Sequence, residues 1–229
     1  LVDLLTVRDQ PFGTQQNIIL GVTDAALKYR YLFVVEDDLQ LIHYHKNLSP
    51  FFFRHHLNDT TVAFTTYSHL MTKNRSSSFL SHRFSSQSWG VTSDVWLGFD
   101  VEQIRNLNFS DTLKKDLSKH LGTDMPSAIV GFKSGTLDSW AIPWNVHNFL
   151  EGNLMAYPSK SFVVESGSSV GATRTTGIKF KSELATDFFD YLNWQKSPNF
   201  AVNETYIEHF NFLNRGLRKI KSKFWSICL

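Results

Sequence analysis

The sequence holds a single cysteine, Cys228, one residue from its end. One thiol closes no disulfide within the chain and builds no thiolate zinc site, so a disulfide-stapled scaffold and a zinc-finger-type domain are both excluded. A reducing compartment fits this usage. Long apolar runs are missing as well. None approaches the ~18 consecutive apolar residues of a membrane-spanning helix, and the first residues lack the basic-then-apolar order of a signal peptide. Excess charge of one sign is absent too, with 23 Lys and Arg against 21 Asp and Glu, a net charge of +2. Five of those bases, Arg215, Arg218, Lys219, Lys221 and Lys223, crowd one acid-free stretch, leaving 18 basic against 21 acidic residues elsewhere. A nucleic-acid binder presents a basic face, so this slightly acidic body implies no nucleic-acid partner.

What is present is core material: 229 residues, 42% apolar and 14% aromatic, enough for one sizeable α/β domain. No internal repeat or linker divides it. The expected organisation is a catalytic domain over 1–211 and a basic amphipathic tail over 212–229. The chain begins with Leu1, and "LVDLLTV" reads as a strand under way, so an upstream element, the first strand of the sheet, is expected to be missing. "QNIILGVTDAALKY" spaces apolar residues at helical intervals, and "YRYLFVVEDDLQL" follows as a continuous apolar strand. Such a strand suits a parallel sheet covered on both faces, with the acids at its carboxyl end, where open α/β sheets bind ligands. A short helix is expected over Asn47–Leu57, a strand in "TTVAFTTYS", a mobile Ser-rich loop over 72–88, a helix over Asp111–His120 and another through "DSWAIPWNVHNFLEG", limited or kinked by Pro143. "SFVVES" reads as a strand, and "GSSVGATRTTG" as a glycine-studded loop.

The acidic triplet Glu36, Asp37 and Asp38 has two readings. Three successive carboxylates after an apolar strand repel one another unless a cation is near, which suits a magnesium or manganese ion assisting a leaving diphosphate. The other reading is a solvated turn, where aspartate is common. Further segments follow in order. "YLFVVEDDLQL" resembles the acidic motif of the GT-A glycosyltransferases, and "SWGVTSDVW" resembles their Trp-Gly segment. "GTLDSWAIPW" is similar to the G-x-x-D-S-W-A-x-x-W segment of bacterial enzymes that assemble surface polysaccharides, and "YPSKSFVVESGSSVGATR" to the strand and Gly-rich loop that closes the same site. The resemblance covers roughly residues 5–175.

The resemblance implies a GT-A-like, Rossmann-like mixed and mainly parallel sheet flanked by helices. It implies transfer of a sugar, with inversion, from a nucleoside-diphosphate donor to a glycan or glycolipid hydroxyl, with Mn²⁺ or Mg²⁺ as cofactor. Asp38 would contact the metal, and Glu36, Asp37, Asp38, Trp89, Gly90 and Arg174 would bind the donor. Arg174 stands where the family often has a histidine, and its planar fork suits a diphosphate. Asp138 would be the general base, Asp94 and Trp140 acceptor contacts. Each of these has a plainer reading: Asp138 as N-cap of the helix through Ala141 to Phe149, Asp94 as a cap or turn residue, and the tryptophans as core. The rival function is a noncatalytic glycan-binding or scaffold module on the same fold.

Lys73, Arg75 and Arg83 either close over the diphosphate or belong to a solvated loop. His43, His45, His55, His56, His69 and His82 form no helical i, i+4 pair and are not assigned a zinc site. In the tail, Phe212, Leu213, Leu217, Ile220 and Phe224 interleave with the five bases. Over 212–225 this is either a helix lying on an anionic membrane or one packed on the domain. The expected location is the cytoplasm with peripheral membrane contact, or the Golgi lumen in a eukaryote. Asn-x-Ser/Thr triplets at Asn47, Asn58, Asn74, Asn108 and Asn203 would be acceptor sites in a secretory lumen.

Overall fold

The computed structural model describes residues 9–41, 57–68, 78–165, 184, 185 and 207. The first helix, α1 (Gly13–Ala26), turns Val22 and Ala26 inward against β1 (Tyr31–Val34), as the helical spacing of "QNIILGVTDAALKY" predicts. β2 (Leu39–Leu41) follows directly after the acidic turn. Further along come β3 (Thr61–Thr65), β4 (Phe79–Ser81) and β5 (Trp89–Thr92). A helical segment then contributes α2 (Ser93–Leu97), α3 (Val101–Asn106), α4 (Asp111–Leu121), α5 (Met125–Lys133) and α6 (Ala141–Leu150). β6 (Leu154–Tyr157) and β7 (Val163–Glu165) close the order.

The chain is therefore a mixed α/β fold, but its sheet is not mainly parallel among the described residues. Five strands lie in the order β1-β5-β3-β6-β4, and only β3 and β6 pair in parallel. The apolar run 31–35 misled because its partner β5 is antiparallel, and because Tyr31 is 48% exposed rather than covered on both faces. One regularity survives: β1, β3 and β6 all point the same way, so their carboxyl ends share one edge of the sheet. β2 and β7, which leave β1 and β6 at that edge, pair with each other as a small second sheet.

Two apolar clusters hold these layers. One joins α1, the sheet and four tryptophans, Trp89, Trp96, Trp140 and Trp144; the other joins Ile104, Leu117, Leu121, Met125, Ile129, Phe132 and Val146. Helix α6 serves both, since Trp144 enters the first and Val146 the second. That double duty explains why α6 is buried from Pro143 to Asn148. Two of its buried side chains, Asn145 and Asn148, bond to main chain. Asn145 grips the main chain of Phe84, accepting from its N–H (2.7 Å) and donating to its carbonyl (3.1 Å), and Asn148 donates to the Trp144 carbonyl (2.8 Å). Pro143 sits in the first turn of α6, where no amide hydrogen bond is lost and no kink is needed.

Residues 78–88 differ from the mobile loop that their serine content predicts. Ser78, Phe79, Leu80, Ser81, Phe84 and Ser88 are buried, and Arg83 forms a bidentate pair with Asp124 (2.8 and 3.0 Å) while donating to the Leu121 carbonyl. Its guanidinium is spent on packing α4 against α5 and is not the closing arm considered for a diphosphate. Residues 42–56, 69–77 and 208–229 lie outside the described residues, and with them the expected helix at 47–57, the loop cations Lys73 and Arg75 and the tail. Among the described residues no helix is long and apolar enough to cross a membrane.

Two of the histidines packed in this helical layer have shifted pKa values. Burial lowers the pKa of His82 below the ordinary 6.5, with the neighbouring His120 adding to the shift and a backbone bond to Asn153 opposing it. Burial likewise lowers that of His147, opposed by Glu151 and Asp100. A lowered base binds its proton more weakly in the folded state, so folding keeps its full stability above pH 6.5 and loses it as the pH falls below that value. Urea midpoints should accordingly be level between pH 7 and 8 and decline toward pH 5. A smaller decline in His147→Gln would confirm the cause, and an unchanged one would refute it.

Candidate functional site at the carboxyl edge of the sheet

The acidic turn is pinned at both ends. Val34 pairs with Trp89 as the last step of the β1/β5 ladder, and Leu39 is buried with Tyr67 and Val163 in a small core of its own. Between them the Leu39 amide donates to the Glu36 carbonyl (3.2 Å), which closes the turn and leaves Asp37 and Asp38 exposed and Glu36 half-buried. The register of the second sheet sets Leu39 opposite Glu165. Local structure thus presents these carboxylates to solvent at the carboxyl edge, as the strand-end reading of the sequence expects.

Asp138 reaches the same edge by another route. Two residues beyond it, Trp140 stacks on Trp89, the strand partner of Val34 at the carboxyl end of β1. Asp138 itself accepts from the Thr14 amide with Oδ2 (2.7 Å) and from the Gln15 amide with Oδ1 (3.0 Å). Asp138 is a helix cap after all, although of α1 and not of the helix beginning at Ala141, whose own N-cap is Trp140 with no side-chain bond.

The tryptophans form a floor beneath the edge. Trp89 stacks on Trp140 with centroids 5.1 Å apart and contacts Trp96 and Trp144 at 5.5 and 6.1 Å. Trp89 has no exposed surface and Trp140 only 3%, so neither has a face left for a sugar, which corrects the stacking roles expected of both. Gly90 has a packing reason of its own, because a Cβ there would stand 2.2 Å from Phe64 Cε1. Phe64 in turn stacks on Phe33 (5.7 Å, 12°).

Asp94 is on the wrong side. Because β5 runs antiparallel to β1, Thr92 pairs with Tyr31, and the Ser93 amide donates to the Arg30 carbonyl (2.8 Å). The exposed Asp94 in the first turn of α2 therefore faces the opposite edge of the sheet from Glu36, Asp37 and Asp38. Sequence order alone concealed this, since a parallel strand would have placed it near the acids. Arg174 lies outside the described residues.

Sequence reading overlooked the hydroxyl network flanking the acidic turn. The Ser88 carbonyl accepts from the Thr66 amide (2.9 Å) and the Thr65 hydroxyl (3.1 Å), while the Ser88 and Thr66 hydroxyls pair with each other. Ser88 has φ +46°, left-handed and buried, a conformation that costs a non-glycine residue about 1 kcal/mol or more. The network holds it there, just ahead of the Val34–Trp89 pair that ends the ladder. Among the described residues no group of three or more His, Cys, Asp or Glu side chains is gathered as a closed metal cage. No protein-family model matches the chain, and a search of curated proteins finds no match.

Gly90→Ala should lower stability by about 1–3 kcal/mol through overpacking against Phe64. Gly90→Ala combined with Phe64→Leu should recover part of that loss in urea titration, whereas an undiminished loss in the pair would remove Phe64 as its cause.

Proposed function

We propose that the chain is the catalytic part of a metal-dependent glycosyltransferase of the GT-A type, transferring a sugar from a nucleoside-diphosphate donor to a glycan or glycolipid hydroxyl with inversion. The observation that carries this reading is the packing link between two acidic elements: the Glu36–Asp38 turn follows Val34, whose strand partner Trp89 stacks on Trp140, two residues after Asp138. The exposed Asp37 and Asp38 fit a hard, partly hydrated cation, which takes one or two protein carboxylates and completes its shell with water and substrate phosphate. When bound, Mn²⁺ or Mg²⁺ would neutralise charge developing on the departing diphosphate.

The protein's own groups divide the remaining work. Asp38, next to the buried anchor Leu39, is the metal contact, with Glu36 and Asp37 toward the donor. Asp138 accepts the proton of the acceptor hydroxyl as its oxygen attacks the anomeric carbon. Each Asp138 oxygen spends one lone pair on an amide and keeps another for that proton. The buried tryptophans support this apparatus through packing.

The test is turnover on a panel of nucleotide sugars with and without manganese. Asp38→Asn keeps the shape of an exposed turn residue and removes its charge, so metal-dependent turnover should fall by about 10²-fold or more while the melting temperature stays close to wild type. Asp94→Asn, at the far edge, should leave turnover unchanged. Full activity in Asp38→Asn would defeat the proposal.

A further inference from the structure

We infer that the first turn of α1, through Gly13 and the amides of Thr14 and Gln15, positions the Asp138 carboxylate for proton transfer; this rests on the reading of Asp138 as the base. Helix caps usually come from the residue just ahead of the helix. In α1 that place belongs to Phe12, which supplies no side-chain bond, and the acceptor is brought from 124 residues further along the chain. Both Asp138 oxygens are gripped, at 2.7 and 3.0 Å, by adjacent amides. Such a two-point grip fixes the plane of the carboxylate as well as its place. An exposed aspartate would otherwise sample several rotamers, and a base must lie within ~2.6–3.2 Å of the proton that it removes.

Three more features serve the same placement. Gly13 has φ +80°, and a Cβ there would stand 2.7 Å from Asp138 Oδ2, so any side chain would displace the carboxylate. The loop that delivers Asp138 is closed on itself: the Leu137 amide and the Thr136 hydroxyl both donate to the Gly131 carbonyl, at 3.0 and 3.2 Å. Two residues beyond, Trp140 is locked against Trp89, whose strand partner Val34 leads into the acidic turn. A cap that only stabilised α1 would need none of this, because a serine or aspartate at position 12 would satisfy the same amides.

Thr14→Pro and Gly13→Ala in the full chain test the inference. Proline is accepted in a first helical turn, as Pro126 shows in α5, and at position 14 it deletes the shorter of the two bonds. Gly13→Ala instead pushes the carboxylate aside. Both variants should lower kcat about ten- to a hundred-fold while leaving the donor KM and the manganese-dependent affinity for nucleoside diphosphate near wild type. Unchanged kcat with a lowered melting temperature, in Thr14→Pro alone if Gly13→Ala does not fold, would show an ordinary cap and overturn the inference. Wild-type protein without turnover on any nucleotide sugar would sink the glycosyl-transfer reading and this inference together. Wild-type turnover matched by both variants would sink only the latter.

Discussion

Trp89 stacked on Trp140 is the contact through which the carboxyl edge is assembled. Trp89 begins β5 and pairs across the ladder with Val34, two residues before Glu36, while Trp140 stands two residues after Asp138. A ring contact of 5.1 Å between buried side chains therefore links the segments that carry two acidic elements a hundred residues apart in sequence. Aromatic pairs of this kind add about 0.5–1.5 kcal/mol beyond their burial, and close-packed interiors do not deform gradually. The tryptophans thus act on this edge through packing. Trp96 ties the same cluster to α1 by donating to the Thr23 hydroxyl (3.0 Å), which fixes the helix whose first turn holds Asp138.

The elements with strong local signals were legible in the sequence. The period of "QNIILGVTDAALKY" gave α1, Ser110 and Asp111 opened α4 with a serine cap bonded to the Leu113 amide (3.2 Å), and the β-branched run at 61–65 became the wholly buried β3. Strand direction was not legible. An apolar run reads the same whether its neighbour is parallel or antiparallel, and the reversal of β5 carried Asp94 to the far edge. Serine content misled at 78–88 because those hydroxyls are consumed internally, as in the Thr66 and Ser88 pair, and do not solvate a loop. Asp138 was legible as a cap but not as a cap for α1, since a bond spanning 124 residues leaves no trace in local pattern.

The electrostatics of the edge follow from where the carboxylates are exposed. Like charges at neighbouring positions are tolerable in water and costly when buried, so the turn keeps Asp37 and Asp38 outside while Leu39 carries the burial. Under the proposed function, the same exposure would let a cation and a diphosphate approach without desolvating the protein first. Asp138 meets a different requirement, because its fixed charge lies against the positive end of α1, where helix amides favour an anion.

The central claim is that a metal and a nucleoside diphosphate gather at this edge and not elsewhere. Paramagnetic broadening of amide NMR signals by Mn²⁺ in the presence of nucleoside diphosphate tests it most directly. The amides of Asp37, Asp38, Thr14 and Ser88 should broaden together, while those of Thr92, Ser93 and Asp94 stay sharp. Broadening centred on Asp94, or none that depends on the nucleotide, would contradict it.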